Sequence, residues 1–189
     1  LAGYLGPRDV ALDLGAHVGT RSIWLATDGG FKSVWAVECA IDSFNLLCKN
    51  ITRNKLNITP LLAAVSVGEA LAPICDGGTN KGQRSVCYRD GAGIKAYYVM
   101  TTALTKLITS IEPVNFIKMD IEGAEYEVIE DIITSPVPIV QVLIEFHHRF
   151  ESIGVQKTRQ TIARLNEAGY MIFNVSASGE EISFIKTDA

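Results

Sequence analysis

The sequence predicts an α/β fold, a doubly wound and mostly parallel seven-stranded sheet with an antiparallel C-terminal edge hairpin. Three observations predict it. Apolar runs of strand length alternate with segments of helical period for most of the chain, the pattern of a sheet covered on both faces. The first run leads into a glycine-containing turn, Asp13-Leu14-Gly15-Ala16-His17-Val18-Gly19-Thr20, where doubly wound folds bind ligands. Near the end, two β-rich runs flank Ser176-Ala177-Ser178-Gly179-Glu180, a composition suited to a hairpin turn.

The first strand is Val10 to Leu14, and the helix after its turn carries Ile23, Trp24 and Leu25. Val34 to Val37 forms a second strand. A helix follows from about Asp42, capped by Asp42 or Ser43, with Phe44, Leu47, Cys48 and Ile51 at helical spacing. Thr59 to Val65 is a third, short strand. Residues 68–100 change character: glycines 77, 78, 82, 91 and 93 punctuate two β-rich runs, Ser85 to Arg89 and Ile94 to Met100, which predicts a hairpin-like insertion. It is too small for a core of its own, so it is expected to act as a flap near the ligand mouth.

Thr101 or Thr102 then starts a helix with Leu104, Leu107, Ile108 and Ile111 on one face, closed by Pro113. Phe116 to Ile121 is a buried strand. From Gly123 an acidic amphipathic helix turns Tyr126, Ile129, Ile132 and Ile133 inward, and Pro136 and Pro138 end it. Ile139 to Phe146 is the next central strand. The last helix spans about Gln156 to Ala168, with Gly169 at its C-terminal stop, and Tyr170 to Val175 and Glu181 to Lys186 complete the sheet.

The 189 residues suit a single domain over 1–189. Hydrophobic residues at 48% and charged residues at 20% exclude disorder and coiled coil. The net charge is −4, and no window gathers the basic stripe of a nucleic-acid footprint, so no nucleic-acid partner is expected. No apolar run reaches membrane-span length, so no membrane association is expected either. Cys39, Cys48, Cys75 and Cys87 include no C-x-x-C pair and read as four thiols in a reducing compartment. Three N-x-[ST] triplets begin at Asn50, Asn57 and Asn174, but no signal peptide precedes them. The expected location is the cytoplasm.

Glu38 ends the second strand about where such folds place the acid that hydrogen-bonds ribose hydroxyls. A dinucleotide fingerprint starting at Gly15 would need glycine at positions 17 and 20, but this chain has His17 and Thr20. No Gly-Lys-Ser/Thr follows, so the turn is not a P-loop. An adenosine cofactor without phosphates satisfies both facts, and S-adenosylmethionine is the common one.

From these residues onward the sequence resembles FkbM-type methyltransferases, a branch of the class I S-adenosylmethionine-dependent enzymes. The matching pieces are Asp13 to Gly19; Val37-Glu38 followed by Leu47 and Asn50; Phe116 to Glu125, containing Lys118, Asp120, Glu122 and Gly123; and Leu143 to His147. Two departures stand out. Cys39 and Ile41 replace the prolines usual after the ribose acid, which shapes the adenine edge differently. Only nine residues precede Val10 where the family carries a longer segment, leaving the substrate cover absent, trimmed or supplied by another chain.

Ligands of open α/β sheets bind beyond the carboxyl ends of the strands. Asp13, Glu38, Asp120 with Glu122, and Glu145 with His147 all fall at such ends and should share one rim. The expected cofactor set is Asp13, Gly15, His17, Gly19, Thr20, Glu38, Cys39, Ala64 and Asp120. Asp120, Glu122, Glu145 and His147 are the expected catalytic group, since methyl transfer needs an acceptor positioned and deprotonated. The resemblance implies a hydroxyl acceptor on a sugar, glycan or other small molecule. A divalent metal is compatible with this rim, but no motif asserts one.

Lys118 is open between structural pairing and site electrostatics. Glu127, Glu130 and Asp131 read as a solvated helix face, while Glu125 is open. His147-His148 is open between a surface or capping pair and a base or metal ligand. Two other functions compete: a cofactor-binding module without catalysis in a larger assembly, and a nicotinamide-linked oxidoreductase, which His17 disfavours.

Overall fold

All five residues of β1 (Val10–Leu14) are buried, as a strand covered on both faces requires. The computed structural model describes residues 6–76, 84–86, 95–111, 113–137 and 139–187. β1 pairs in parallel with β2 (Ser33–Glu38) on one side and β8 (Val114–Met119) on the other. Outward from these lie β3 (Ile58–Leu62), parallel to β2, and β9 (Gln141–Glu145), parallel to β8. The terminal hairpin of β10 (Tyr170–Val175) and β11 (Glu181–Lys186) inserts its second strand against β9, antiparallel. The order is β10-β11-β9-β8-β1-β2-β3, so the expected seven-stranded sheet and its antiparallel edge are present.

Alternation along β1 divides the core. Leu12 and Leu14 face the cluster built with Leu107 and Ile108 of α3 (Leu104–Ile111), Ile129 of α4 (Glu125–Ile133) and Leu165 of α5 (Gly154–Glu167). Ala11 faces the opposite cluster with Phe116, Leu25 of α1 (Thr20–Ala26) and Leu47 and Ile51 of α2 (Ile41–Asn54). Asp13 shares the Ala11 face, which turns a fully buried carboxylate toward α1. Among the described residues no helix is long and apolar enough to cross a membrane.

The structure departs from expectation in five places. The third strand is split: β3 stops at Leu62, the Ala63 N–H still meets the Glu38 carbonyl at 3.1 Å, and β4 (Ala64–Ser66) joins a second sheet. The insertion is not a simple hairpin. β5 (Leu71–Asp76) lies between β6 (Arg84–Val86) and β7 (Lys95–Ala103), antiparallel to both, and β4 adds to β7 in parallel. Pro73 hid β5 from the sequence, since proline argues against an inner strand. Among the described residues the ladder to β6 begins at Ile74, and Pro73 is paired with Tyr98 of β7. The five glycines of the insertion lie outside the described residues.

The third departure is Thr101 and Thr102, which end β7 instead of starting a helix; the Thr101 hydroxyl accepts from the Ala70 N–H at 2.8 Å and donates to the Gly68 carbonyl. Fourth, α2 begins at Ile41, so its N-cap position is Ala40, whose side chain cannot cap, and not Asp42 or Ser43. Its first donors are met by one nearby and one distant group: the Ala40 N–H donates to Glu38 and the Ile41 N–H to the Tyr97 hydroxyl. Fifth, Cys75 is disulfide-bonded, while Cys39 and Cys48 are in no disulfide and Cys87 lies outside the described residues. The expectation of four thiols is corrected there, and the reducing compartment inferred from it loses that support.

Tyr170 is buried at the start of β10 and donates its hydroxyl to the Ile139 carbonyl at 3.1 Å. Burial pushes its phenol up to about 12. A raised folded-state pKa gives stability that is complete below the unfolded value near pH ~10 and is lost as pH climbs toward ~12. Over that window the native protein should lose roughly 2–3 kcal/mol through this group. Urea melts of Tyr170→Phe at stepped alkaline pH should show a shallower decline, and an identical slope would refute the assignment.

Candidate functional site

The chain leaves β1 toward one half of the sheet and β8 toward the other, so a crevice opens between their carboxyl ends. The loops that follow these strands interlock. The Gly15 and Ala16 N–H groups both donate to the Val37 carbonyl, and the Asp120 N–H donates to the Leu14 carbonyl at 3.0 Å. A Cβ on Gly15 would sit 1.7 Å from the Asp120 carbonyl oxygen, and φ there is +78°. Only glycine fits this junction. Gly19, at φ +90°, starts α1, and a Cβ there would meet Leu47 at 2.6 Å. Asn50 of α2 pins the loop by donating to the Val18 carbonyl at 2.8 Å, which gives its amide a structural partner.

Backbone strain is concentrated at this rim. Among the described residues three non-glycine residues have left-handed φ, and two of them are His17 (φ 51°) and Glu122 (φ 55°), one in each interlocked loop. Each such conformation costs about 1–2 kcal/mol, a strain that clusters at functional sites. His17 projects an exposed side chain where a dinucleotide turn has glycine. Thr20 is exposed beside it, at the first turn of α1.

A chain of buried charge runs beneath the turn. Asp13 has no exposed surface; it accepts from the Ser22 hydroxyl at 2.5 Å and pairs with Lys118 at 3.4 Å. The register that sets Asp13 opposite Lys118 on adjacent strands makes this pair. Lys118 donates to the Gly15 carbonyl at 2.9 Å and reaches Asp120 at 3.3 Å. Burial alone would lower its ammonium pKa, but Asp13 and Asp120 override it and raise the pKa. Lys118 is therefore structural and electrostatic at once: it fixes the turn and fills one side of Asp120.

Glu38 is nearly buried at the end of β2. One oxygen accepts the His17 N–H at 2.7 Å and the other the Ala40 N–H at 2.6 Å, so the carboxylate ties the turn to the start of α2. Burial raises its pKa against the opposing pull of these two N–H groups. A carboxylate has about four lone-pair sites, and two backbone donors leave capacity for ligand hydroxyls. Cys39 is half-buried, and its carbonyl accepts the Tyr97 hydroxyl at 3.1 Å, which brings the second sheet against the loop after Glu38. Ala64 is buried with Ile74 and Val99 in the small core under that sheet, with Leu62 and Cys39 packed on it.

The loops after β8 and β9 form the other half of the site. His147 has no exposed side-chain surface. Its Nδ1 lies 2.9 Å from Glu125, and its Nε2 lies 3.3 Å from Glu122, 3.7 Å from Asp120 and 4.0 Å from Glu145. Neither ring nitrogen makes a well-aligned hydrogen bond, and Glu122 Oε2 is likewise unpartnered. Burial would lower the imidazole pKa, but contact with Glu122 and Glu125 reverses this and holds it up to about 10. Glu145 is shifted upward by burial, then by Asp120. Arg149 stands 3.7 Å from Glu145 and 3.0 Å from Glu180.

Glu125 is the support of this half. It is fully buried, and its two oxygens accept the Ile121 and Gly123 N–H groups at 2.8 and 2.9 Å, closing the loop into α4. Glu127 and Glu130 are exposed, and Asp131 accepts the Thr105 N–H, in keeping with a solvated face. All four expected catalytic residues meet within one cluster, and Asp120 joins it to the turn through Lys118. A surface role for His147 is excluded by its burial. Sequence reasoning missed Ser22, Tyr97 and Arg149; Ser22 lies in the helix opened by the turn, but nothing local signals Tyr97, which arrives from the second sheet.

This strand order, with a glycine turn at the switch point and an acid after β2, defines the class I methyltransferase fold. The chain belongs to the FkbM methyltransferase family, whose methyltransferase FkbM domain model matches residues 13–172. Among solved structures it is similar to the methyltransferase FkbM of Methylobacillus flagellatus KT, with TM-score 0.64 and 16% identity over 97% of this chain and 45% of that one. It thus spans less than half of that protein. Fibrillarin, a pre-rRNA processing protein of Methanococcus jannaschii, gives 0.56 at 16% identity over 97% and 70%. TrmK of M. capricolum, solved with S-adenosylhomocysteine, gives 0.51 at 12% over 95% and 62%. No curated protein matches the sequence significantly.

Proposed function

We propose that this chain is an S-adenosylmethionine-dependent O-methyltransferase acting on a hydroxyl of a sugar, glycan or other small molecule. The carrying observation is that a turn bearing His17 in place of a pyrophosphate-binding glycine lies between the acid that ends β2 and a cluster of four carboxylates. That donor set suits a phosphate-free, cationic ligand. Glu38 would accept the ribose hydroxyls. Asp120, whose side chain is partly exposed, would face the ammonium, with Asp13 acting from below through Lys118.

The bound cofactor supplies an electrophilic methyl group on a positively charged sulfur. With the cofactor bound, this chain's part would be to hold the acceptor oxygen in line with that methyl group and to take the acceptor proton on a carboxylate. Glu145 is suited to take it, since it is partly exposed and its raised pKa makes it a stronger base than an ordinary carboxylate. His147, whose pKa Glu122 and Glu125 hold up to about 10 against its burial, would orient Glu122 and Asp120, which lie 3.3 and 3.7 Å from its Nε2.

Calorimetry with S-adenosylhomocysteine tests the cofactor half directly. Glu38→Ala should weaken binding by about 1.5–3 kcal/mol, the loss of charge-assisted hydrogen bonds. Unchanged affinity in the folded variant would remove Glu38 from the cofactor site. The chemical half is tested by mass spectrometry of an extract incubated with isotopically labelled cofactor, in which a product labelled on oxygen is expected. Label found only on nitrogen or carbon would overturn O-methylation.

A further inference from the structure

From the cluster beyond β8 and β9 we infer a divalent-cation site formed by Asp120, Glu122 and the Nε2 of His147, with Glu145 as its fourth edge. One ligand atom from each of Asp120, Glu122 and His147 lies within 4.8 Å of the others. Six-coordinate divalent ions with bonds of roughly 2.1 Å separate neighbouring ligand atoms by about 3.0 Å and opposite ones by about 4.2 Å. The distances from His147 Nε2 to Glu122, Asp120 and Glu145 are 3.3, 3.7 and 4.0 Å, all within that interval.

An acid cluster alone would not indicate a metal. The second observation is His147 itself: a side chain with no exposed surface points Nε2 into the cluster, where it makes no aligned hydrogen bond and faces the equally unpartnered Glu122 Oε2. Its other nitrogen lies 2.9 Å from Glu125. A carboxylate behind a histidine is the arrangement that orients imidazole ligands toward metals. Charge points the same way. Asp13, Asp120, Glu122, Glu125 and Glu145 are faced, among the described residues, by only two permanent cations, Lys118 and Arg149.

One imidazole with several carboxylates suits a first-row divalent ion such as Mn²⁺. On binding, the ion takes the place of the Nε2 proton, which passes to solvent. If the methyltransferase reading holds, the ion's remaining positions would bind the acceptor oxygen and lower the pKa of its hydroxyl beside Glu145. That role rests on the proposed function; the binding site does not.

The test titrates the chelator-treated chain with Mn²⁺ and follows the free ion by electron paramagnetic resonance. One saturable site per chain is expected, with ring-nitrogen modulation in the spin echo of the bound ion. Asp120→Asn and Glu122→Gln should each weaken binding at least about tenfold, with Glu127→Gln unchanged. Absence of saturable uptake, absence of nitrogen modulation, or native affinity in both cluster variants would each overturn the site. The spin-echo result is read on the native chain and stands whether or not a variant folds. S-adenosylhomocysteine calorimetry on the same metal-free sample separates the two proposals: cofactor binding together with no saturable Mn²⁺ uptake sinks only the metal site, and Mn²⁺ uptake together with no cofactor binding sinks only the methyltransferase reading.

Discussion

Gly15→Ala should destabilise the protein by about 2–5 kcal/mol, the sum of a left-handed backbone penalty of ~1–2 kcal/mol and overpacking of ~1–3 kcal/mol. The added Cβ would lie 1.7 Å from the Asp120 carbonyl oxygen, so the loops after β1 and β8 would have to separate. Separation would also break the Lys118 contact to the Gly15 carbonyl and the Asp120 N–H bond to Leu14. Cofactor affinity should fall with stability. Gly179→Ala is the control: it has φ +77° and open space around its Cβ, so it isolates the backbone penalty. Urea denaturation of both variants decides the matter, and equal losses would show that the close approach is not what requires glycine at position 15.

Glu125→Gln should cost about 3–5 kcal/mol, the range for removing one partner of a buried charge pair. The substitution keeps the shape, yet both oxygens of Glu125 accept backbone N–H groups. A glutamine amide offers one acceptor and one donor, so one N–H would face another donor in a fully buried site. His147 would lose its Nδ1 partner as well. Glu127→Gln, two residues on and exposed, should stay within about 0.5 kcal/mol. If the two variants melted alike, Glu125 would be an ordinary helix residue and the support assigned to His147 would be withdrawn.

Much of the rim was legible because strand ends announce themselves. Asp13, Glu38, Asp120 and Glu145 each follow or close an apolar run, and one rule about open sheets brings them to the same edge. The burial of His147 was not legible, since a His-His pair after a strand has no local signature that separates a capped loop from a core imidazole. Glu125 had the same ambiguity. Its spacing from Glu127 and Glu130 fits a solvated helix face, and only the return of the loop onto its carboxylate takes it out of water.

The sequence by itself determined the alternation of strands and helices, the seven strands of the main sheet and the glycine-containing turn after the first of them. These follow from short-range periodicity and from steric limits on single residues. Tertiary structure alone decided what depends on neighbours distant in the chain. β11 enters between β10 and β9, β5 runs through Pro73, Tyr97 replaces Asp42 or Ser43 at the start of α2, and Cys75 is in a disulfide. The same holds for the cluster at His147, where Asp120, Glu122 and Glu125 come from one loop and Glu145 from another strand. Strand pairing and burial set those distances, and neither is encoded within a window of local sequence.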